Sequence, residues 1–176
     1  TIAEGIAIKA VGEIPFALGD PLIEDVLVVD EADFEQAVAF YATIEKTVVE
    51  GAGAGGLAAL LRYPDRFKGL KVGLVVCGGN IDPRILSMVL SREMVREHRL
   101  VTFRIVGDDR PGMMAGMTAV IGKLGGNIID IHHNRLALDV PVKGAEYDIQ
   151  VETRDDDHAD EIGKALEKKG YVLKLP

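Results

Sequence analysis

The chain has a single cysteine, Cys77, at the head of a Cys77-Gly78-Gly79-Asn80 run that follows the apolar residues Leu74, Val75 and Val76. A lone thiol at the tip of a strand suits either a nucleophile or a weak hydrogen-bond partner for a bound molecule. The two glycines beside it let backbone approach a ligand closely. The plainer alternative is an ordinary strand-to-helix turn with a buried, inert cysteine. A second candidate is Gly51-Ala52-Gly53-Ala54-Gly55-Gly56. Free N–H groups at a helix start attract anions, so this run suits a phosphate. Close packing of a helix against a sheet explains the same small residues. Neither the dinucleotide pattern ending in an acidic strand nor a Gly-Lys-Ser/Thr ending is present, which argues against a nucleotide.

The elements that must position these residues follow from apolar spacing. Leu74–Val76 reads as a short strand buried on both faces of a parallel sheet, and Pro83 opens a helix reaching about Glu97. In open α/β sheets ligands bind beyond the carboxyl ends of strands, which is where Cys77 falls. The glycine run is a tight lead-in to a helix over Leu57–Arg62, since each glycine inside a helix costs ~1 kcal/mol. Residues 1–24, punctuated by Gly5, Gly12, Pro15, Gly19 and Pro21, read mainly as loop. Asp25–Val29 is a β-branched run. Asp30 then caps a helix, with Asp33 as its capping-box partner and an apolar stripe of Ala37, Val38, Tyr41 and Ile44.

From Leu100 onward the pattern is β-α-β-β-α-β. Val101, Phe103 and Ile105 alternate with polar residues. Asp109 caps a helix that carries Met114, Met117, Ile121 and Leu124 on one face and stops at Gly125-Gly126. Asn127 to about Leu136 is the second strand, with Ile129 and Ile131 on one face; His132 and His133 alternate across it as surface or interface residues. Tyr147, Ile149 and Val151 alternate in the third strand. Asp157 caps a second helix with Ile162 and Leu166 inward, and Tyr171, Leu173 and Leu175 close the sheet. This is the ferredoxin-like order. A unit of fewer than 80 residues buries only ~60% of its unfolded surface and leaves sheet edges open, which predicts a homo-oligomer.

Composition narrows the function. The chain has 176 residues, 48% apolar and 27% charged, with a net charge of −8. That acidity, with no basic stripe, argues against nucleic acid. No apolar run approaches the ~20 residues a membrane helix needs. One cysteine excludes an internal disulfide framework and fits a reducing cytoplasm. Neither spacing nor composition indicates a metal. The opening Thr1-Ile2-Ala3-Glu4-Gly5 reads like the middle of a longer polypeptide.

The order TIAEGIAIK, VVEGAGAGGLAALL and VCGGNID, followed by DDRPGMM and GGNIIDIHHNRL, resembles the C-terminal part of the threonine ammonia-lyases, also called threonine dehydratases. The resemblance covers essentially the whole chain. It implies an α/β fold: residues 1–97 as the C-terminal part of a tryptophan-synthase-β-like domain (pyridoxal-phosphate fold type II), and residues 98–176 as an α+β ferredoxin-like ACT domain. It implies pyridoxal 5'-phosphate as cofactor, threonine or serine as substrate, and cytoplasmic amino-acid metabolism such as isoleucine biosynthesis. It puts Cys77 beside the pyridine nitrogen, Gly78 and Gly79 where they leave room for the ring, and Glu50 and Gly5 in the surrounding wall. For Glu50 a solvated or salt-bridged acid is an equal alternative. The family's Schiff-base lysine, in a Ser-Phe-Lys context, is not among these residues; Lys9, Lys46, Lys68 and Lys71 read as surface lysines. The resemblance therefore implies no catalytic residue here and no activity of these residues alone.

In the ACT half the resemblance implies an amino-acid effector held between paired domains, near Asp109, Gly112, Asn127 and Ile128. Helix capping by Asp109 and a turn-forming Gly-Asn explain those residues equally. Gly107 stands where some such domains carry a side-chain ligand. A stand-alone amino-acid sensor without catalysis is the second reading, and a nucleotide-binding α/β protein the third.

Overall fold

Two helices in the first half of the chain are capped by side chains, Asp30 before Glu31 and Asp82 before Pro83. A helix over Glu13–Gly19, by contrast, forms with no side-chain cap and no buried residue, in a stretch expected to be mainly loop. The computed structural model describes residues 1–137 and 140–174, and the chain divides into two units, Thr1–Glu93 and Met94–Pro176. The helices are α1 (Glu13–Gly19), α2 (Glu31–Thr43), α3 (Gly55–Arg62), α4 (Pro64–Phe67) and α5 (Pro83–Arg96). At the start of α2 the Asp30 N–H donates to Asp33 Oδ2 at 2.8 Å, as the capping box requires. Phe34, Ala37, Val38 and Tyr41 of α2 pack with Val49, Ala54, Ala58 and Val89 into one apolar core. Ile44 does not join the stripe; it lies beyond the last turn of α2 and is exposed.

The strand expected at Leu74–Val76 does not form. Residues 70–82 carry no regular secondary structure, and Val75 is 83% exposed. A strand exists only while neighbours satisfy its backbone N–H and C=O groups, and no described residue pairs with this run in a ladder. Asp25–Val29 is left outside a sheet in the same way, with Val26 and Val28 exposed. The glycine run behaves more nearly as expected. Ala52–Ala54 is a single 3-10 turn, and α3 then starts at Gly55, two residues before the predicted Leu57.

The second unit contains β1 (Leu100–Asp108), α6 (Met113–Lys123), β2 (Asn127–Asn134), β3 (Gly144–Glu152), α7 (Asp156–Lys168) and β4 (Val172–Lys174). The four strands form one antiparallel sheet in the order β2-β3-β1-β4, the ferredoxin-like arrangement. Ile105, Ile149 and Val151 from the sheet meet Met117 and Ile121 of α6 and Ile162 and Leu166 of α7, all fully buried. The alternate residues point the other way, where Arg104 holds Asp148 through two 2.7 Å bonds. Leu175 lies outside the described residues; Leu173 packs on the core as expected.

Three local expectations change. A bulge between Ile128 and Asp130 shifts the register of β2, so Ile128 and Ile131 share the core face and Ile129 is exposed. The cap of α7 is Asp155, whose Oδ1 accepts the His158 N–H at 2.9 Å, and not Asp157. The cap of α6 is Gly112 at φ +89°, with no side-chain cap. Asp109 is still part of the strand connection, its N–H donating to Lys143 O at 2.9 Å, so the helix starts four residues later than its carboxylate.

Candidate functional site

In the first unit three of the residues named above, Gly5, Glu50 and Gly78, meet around one acid. Glu50 Oε2 accepts the Asn80 N–H at 3.1 Å, and the Glu50 N–H donates to Gly78 O at 3.2 Å. Gly78 has φ +89°, and a Cβ placed on it would lie 2.6 Å from Glu50 Oε1. A Cβ on Gly5 would meet the same carboxylate oxygen at 3.9 Å. Gly5, Glu50 and Gly78 therefore converge. Gly5 and Glu50 also line a cavity of about 520 Å³ that runs along Glu4, Gly51, Asn80 and Asp82. The Glu50 carboxylate holds the Gly78–Asn80 turn, and no ion pair to it is seen among the described residues.

Cys77 differs from the buried alternative, for its side chain is exposed and makes no hydrogen bond among the described residues. What fixes it is the glycine run. A Cβ on Gly53 would sit 2.5 Å from the Cys77 carbonyl oxygen, so only glycine lets the two segments approach this closely. Gly56 lies beside the Leu74 side chain, whose Cδ2 would come 3.3 Å from an added Cβ, a looser contact. The run works as a packing surface for the segment that carries the thiol.

The second unit separates the four expected effector residues into two pairs. Asp109 and Gly112 lie at one end of the sheet. Asn127 and Ile128 start β2 at the other end, opposite Glu152 and Val151, a strand length of ~25 Å away. The Asn127 side-chain amide donates to Glu152 Oε2 at 3.1 Å, and Ile128 packs on the core. At Gly107 the room a side chain would use is filled by Met113, whose Cε lies 3.0 Å from the added Cβ.

Asp109 instead meets residues that spacing did not single out. Its Oδ2 accepts from Arg135 Nε at 2.6 Å, and its Oδ1 lies 3.4 Å from His133 Nε2. The Arg135 hydrogen bond holds the Asp109 carboxyl below the usual aspartate range, and the His133 ring adds to this. His133 is half-buried, whereas its neighbour His132 is exposed. Its ring stacks on Tyr147 with centroids 4.3 Å apart, and burial pushes the Tyr147 hydroxyl up, with Asp109 adding to the rise. These side chains, with Arg110, Pro111, Gly112 and Met114, line a cavity of about 410 Å³. The signal available in sequence was the spacing of His133, near the end of β2, and Arg135, just beyond it.

Comparison with known proteins agrees with this architecture. Residues 99–175 match the ACT domain family. Over 99% of its length the chain is 35% identical to an L-threonine ammonia-lyase of Thermotoga maritima, covering 43% of that protein. It is also 35% identical to an L-threonine ammonia-lyase of Geobacter sulfurreducens over 98% of its length, again covering 43%. An L-threonine dehydratase of Halalkalibacterium halodurans matches 63% of the chain at 32% identity, over 27% of its own length. The second unit is an ACT domain of ferredoxin-like fold. The chain as a whole is a relative of the threonine ammonia-lyases, and it spans about two fifths of the length of the relatives it matches.

Proposed function

We propose that the chain is the C-terminal part of a pyridoxal-phosphate-dependent threonine ammonia-lyase, with residues 1–97 completing a tryptophan-synthase-β-like catalytic domain and residues 98–176 regulating it. The parent enzyme would dehydrate and deaminate L-threonine, with L-serine as an alternative, to 2-oxobutanoate and ammonia in the cytoplasm. The observation that carries this reading is the convergence of Gly5, Glu50 and Gly78 beside an exposed, unpartnered Cys77.

The cofactor, when bound, supplies the electron sink that weakens bonds at the substrate Cα. Cys77 would stand beside the ring nitrogen as a weak hydrogen-bond partner, one that would not hold a proton there as a carboxylate would. The group so held would supply a milder electron sink, a bias towards loss of the β-hydroxyl over return of a proton to Cα. The missing side chains of Gly78 and Gly79 let this turn close on Glu50 and on the Val48 carbonyl, to which a Cβ would come within 2.6 and 2.8 Å. Glu50 would thereby hold the segment bearing Cys77 in place. In the complete enzyme, Cys77→Asp should lower threonine dehydration by at least about tenfold, ~1.4 kcal/mol in barrier, and shift the cofactor absorption band. An unchanged rate and spectrum would refute the assignment. The 176 residues alone, lacking a Ser-Phe-Lys lysine, should make no 2-oxobutanoate from threonine.

The ACT domain would bind an amino-acid effector between paired copies. Because Asp109 and Gly112 stand far from Asn127 and Ile128 within one chain, one copy would supply the first pair and its neighbour the second. Sedimentation of the full chain should then give a dimer or larger assembly. The alternative of a sensor without catalysis rests on the same second-unit pocket and leaves the exposed Cys77 unexplained.

A further inference from the structure

We infer that the Asp109 carboxylate is an internal latch on Arg135, beside the unpartnered His133, released when a small α-amino acid enters the cavity and its own carboxylate takes the latch's place and reaches His133 as well. This rests on the effector reading above and adds to it the groups that recognise the ligand.

The first observation is an incomplete set of bonds. His133 Nε2 is a buried nitrogen without a hydrogen-bond partner among the described residues. Its approach to Asp109 Oδ1, at 3.4 Å, is too long and poorly aimed to serve as one. A polar atom left this way costs free energy until a ligand satisfies it. The second observation is that Asp109 divides its carboxylate: Oδ2 holds Arg135 at 2.6 Å, while Oδ1 faces His133 Nε2 at 3.4 Å without a hydrogen bond. A free carboxylate is not so tethered and spans both groups.

Charge and shape then select the ligand. The cavity lining carries two guanidinium groups, Arg110 and Arg135, and one carboxylate, Asp109. An incoming carboxylate pairs with Arg135 and His133, and the displaced Asp109 is the one lining acid available to an ammonium group. A zwitterion completes both exchanges; a plain carboxylate completes one. Pro111, Met114 and the stacked Tyr147 ring supply apolar wall for the side chain. About 410 Å³ accommodates an aliphatic amino acid and no large cofactor.

The test titrates the full chain with L-valine, L-isoleucine and L-threonine by calorimetry, and with 3-methylbutanoate as the counterpart of valine lacking its amine. At least one amino acid should bind, and valine should bind better than 3-methylbutanoate. Arg135→Leu, at an exposed position that leaves the fold alone, should weaken binding by at least about tenfold. His133→Phe keeps the stack on Tyr147 and should weaken it similarly. Asp109→Asn should abolish the preference for valine over 3-methylbutanoate. Nitrogen resonances of His133, one of four histidines, should shift on adding the bound amino acid. If none of the three amino acids binds, the effector reading itself fails. If one binds wild type and both the Arg135 and His133 variants equally, the latch fails while the effector reading stands.

Discussion

The two units contain β-branched runs of like composition, and only one of them turns its runs into sheet. Tyr147, Ile149 and Val151 in the second unit are buried, each opposite a residue of β1 or β2. Val26, Val28, Val75 and Val76 in the first unit are exposed and unpaired among the described residues. The helices show no such contrast, and both units contain capped helices, α2 in the first and α7 in the second. A helix satisfies its backbone within itself, whereas a strand depends on a neighbour that its own residues cannot supply. The same dependence explains why the first unit's core is built from α2, α3 and α5 around small residues, and the second unit's from a sheet face and two helices.

The contrast breaks most readily in the cores. Ile149→Ala should destabilise the second unit by about 2–5 kcal/mol, whereas Val75→Ser should change the first by no more than about 0.5 kcal/mol. Hydrogen exchange followed peptide by peptide reads each unit separately. Equal losses at the two positions would mean that Val75 is packed after all. Next in size are two contacts peculiar to each unit. His158 is buried, accepts the Arg154 N–H on Nδ1 at 3.1 Å, and lies 3.0 Å from Leu124 O through Nε2, tying the end of α6 to the start of α7. His158→Ala strands both backbone groups and should cost the second unit about 1–3 kcal/mol. Gly53→Ala drives a methyl group into the Cys77 carbonyl and should cost the first unit about 1–3 kcal/mol, with faster exchange confined to 77–80. Below these comes the α7 cap. Asp155→Ala should lose ~1 kcal/mol, and Asp157→Ala less than about 0.5 kcal/mol, by thermal unfolding.

Much of the second unit was legible because its signals are local and repeated. Alternation in β1 and β3, the 3.6 spacing through Met117 and Ile121, and the Gly125-Gly126 stop each specify an element without outside help. What misled were choices among equivalent residues. Three consecutive aspartates, Asp155, Asp156 and Asp157, are all competent caps, and His158 decides between them by its own N–H. The bulge at Ile129 breaks the period of two that sequence reading assumes, and so moves Ile128 inward. His133 looked like surface because nothing in the sequence says that β3 brings Tyr147 under it, 14 residues away. In the first unit, Gly5, Glu50 and Gly78 could be grouped only through a family resemblance. No spacing rule joins residues held together by an acid's grip on a turn and by glycines that admit another segment's backbone.

The smallest effect concerns acid. Arg104, through its paired hydrogen bonds, holds the Asp148 carboxyl below the usual aspartate range on the open face of the sheet. A carboxyl whose value is lowered by folding stabilises the native state fully above its unfolded value of about 4. It loses that contribution as pH falls through the lowered native value. The second unit should therefore weaken below about pH 4, and Asp148→Asn should remove that part of the slope. Because Arg104 is well exposed, the loss at neutral pH should be only about 0.2–1 kcal/mol, and smaller in high salt. Asp25 in the first unit is lowered chiefly by the Val26 N–H and only then by Arg66. Its share of the acid response should consequently resist salt. Urea unfolding at pH 3 and 6, each with and without added salt, separates the two. Equal salt sensitivity in both units would show that ion pairing dominates throughout and that this difference between them is not real.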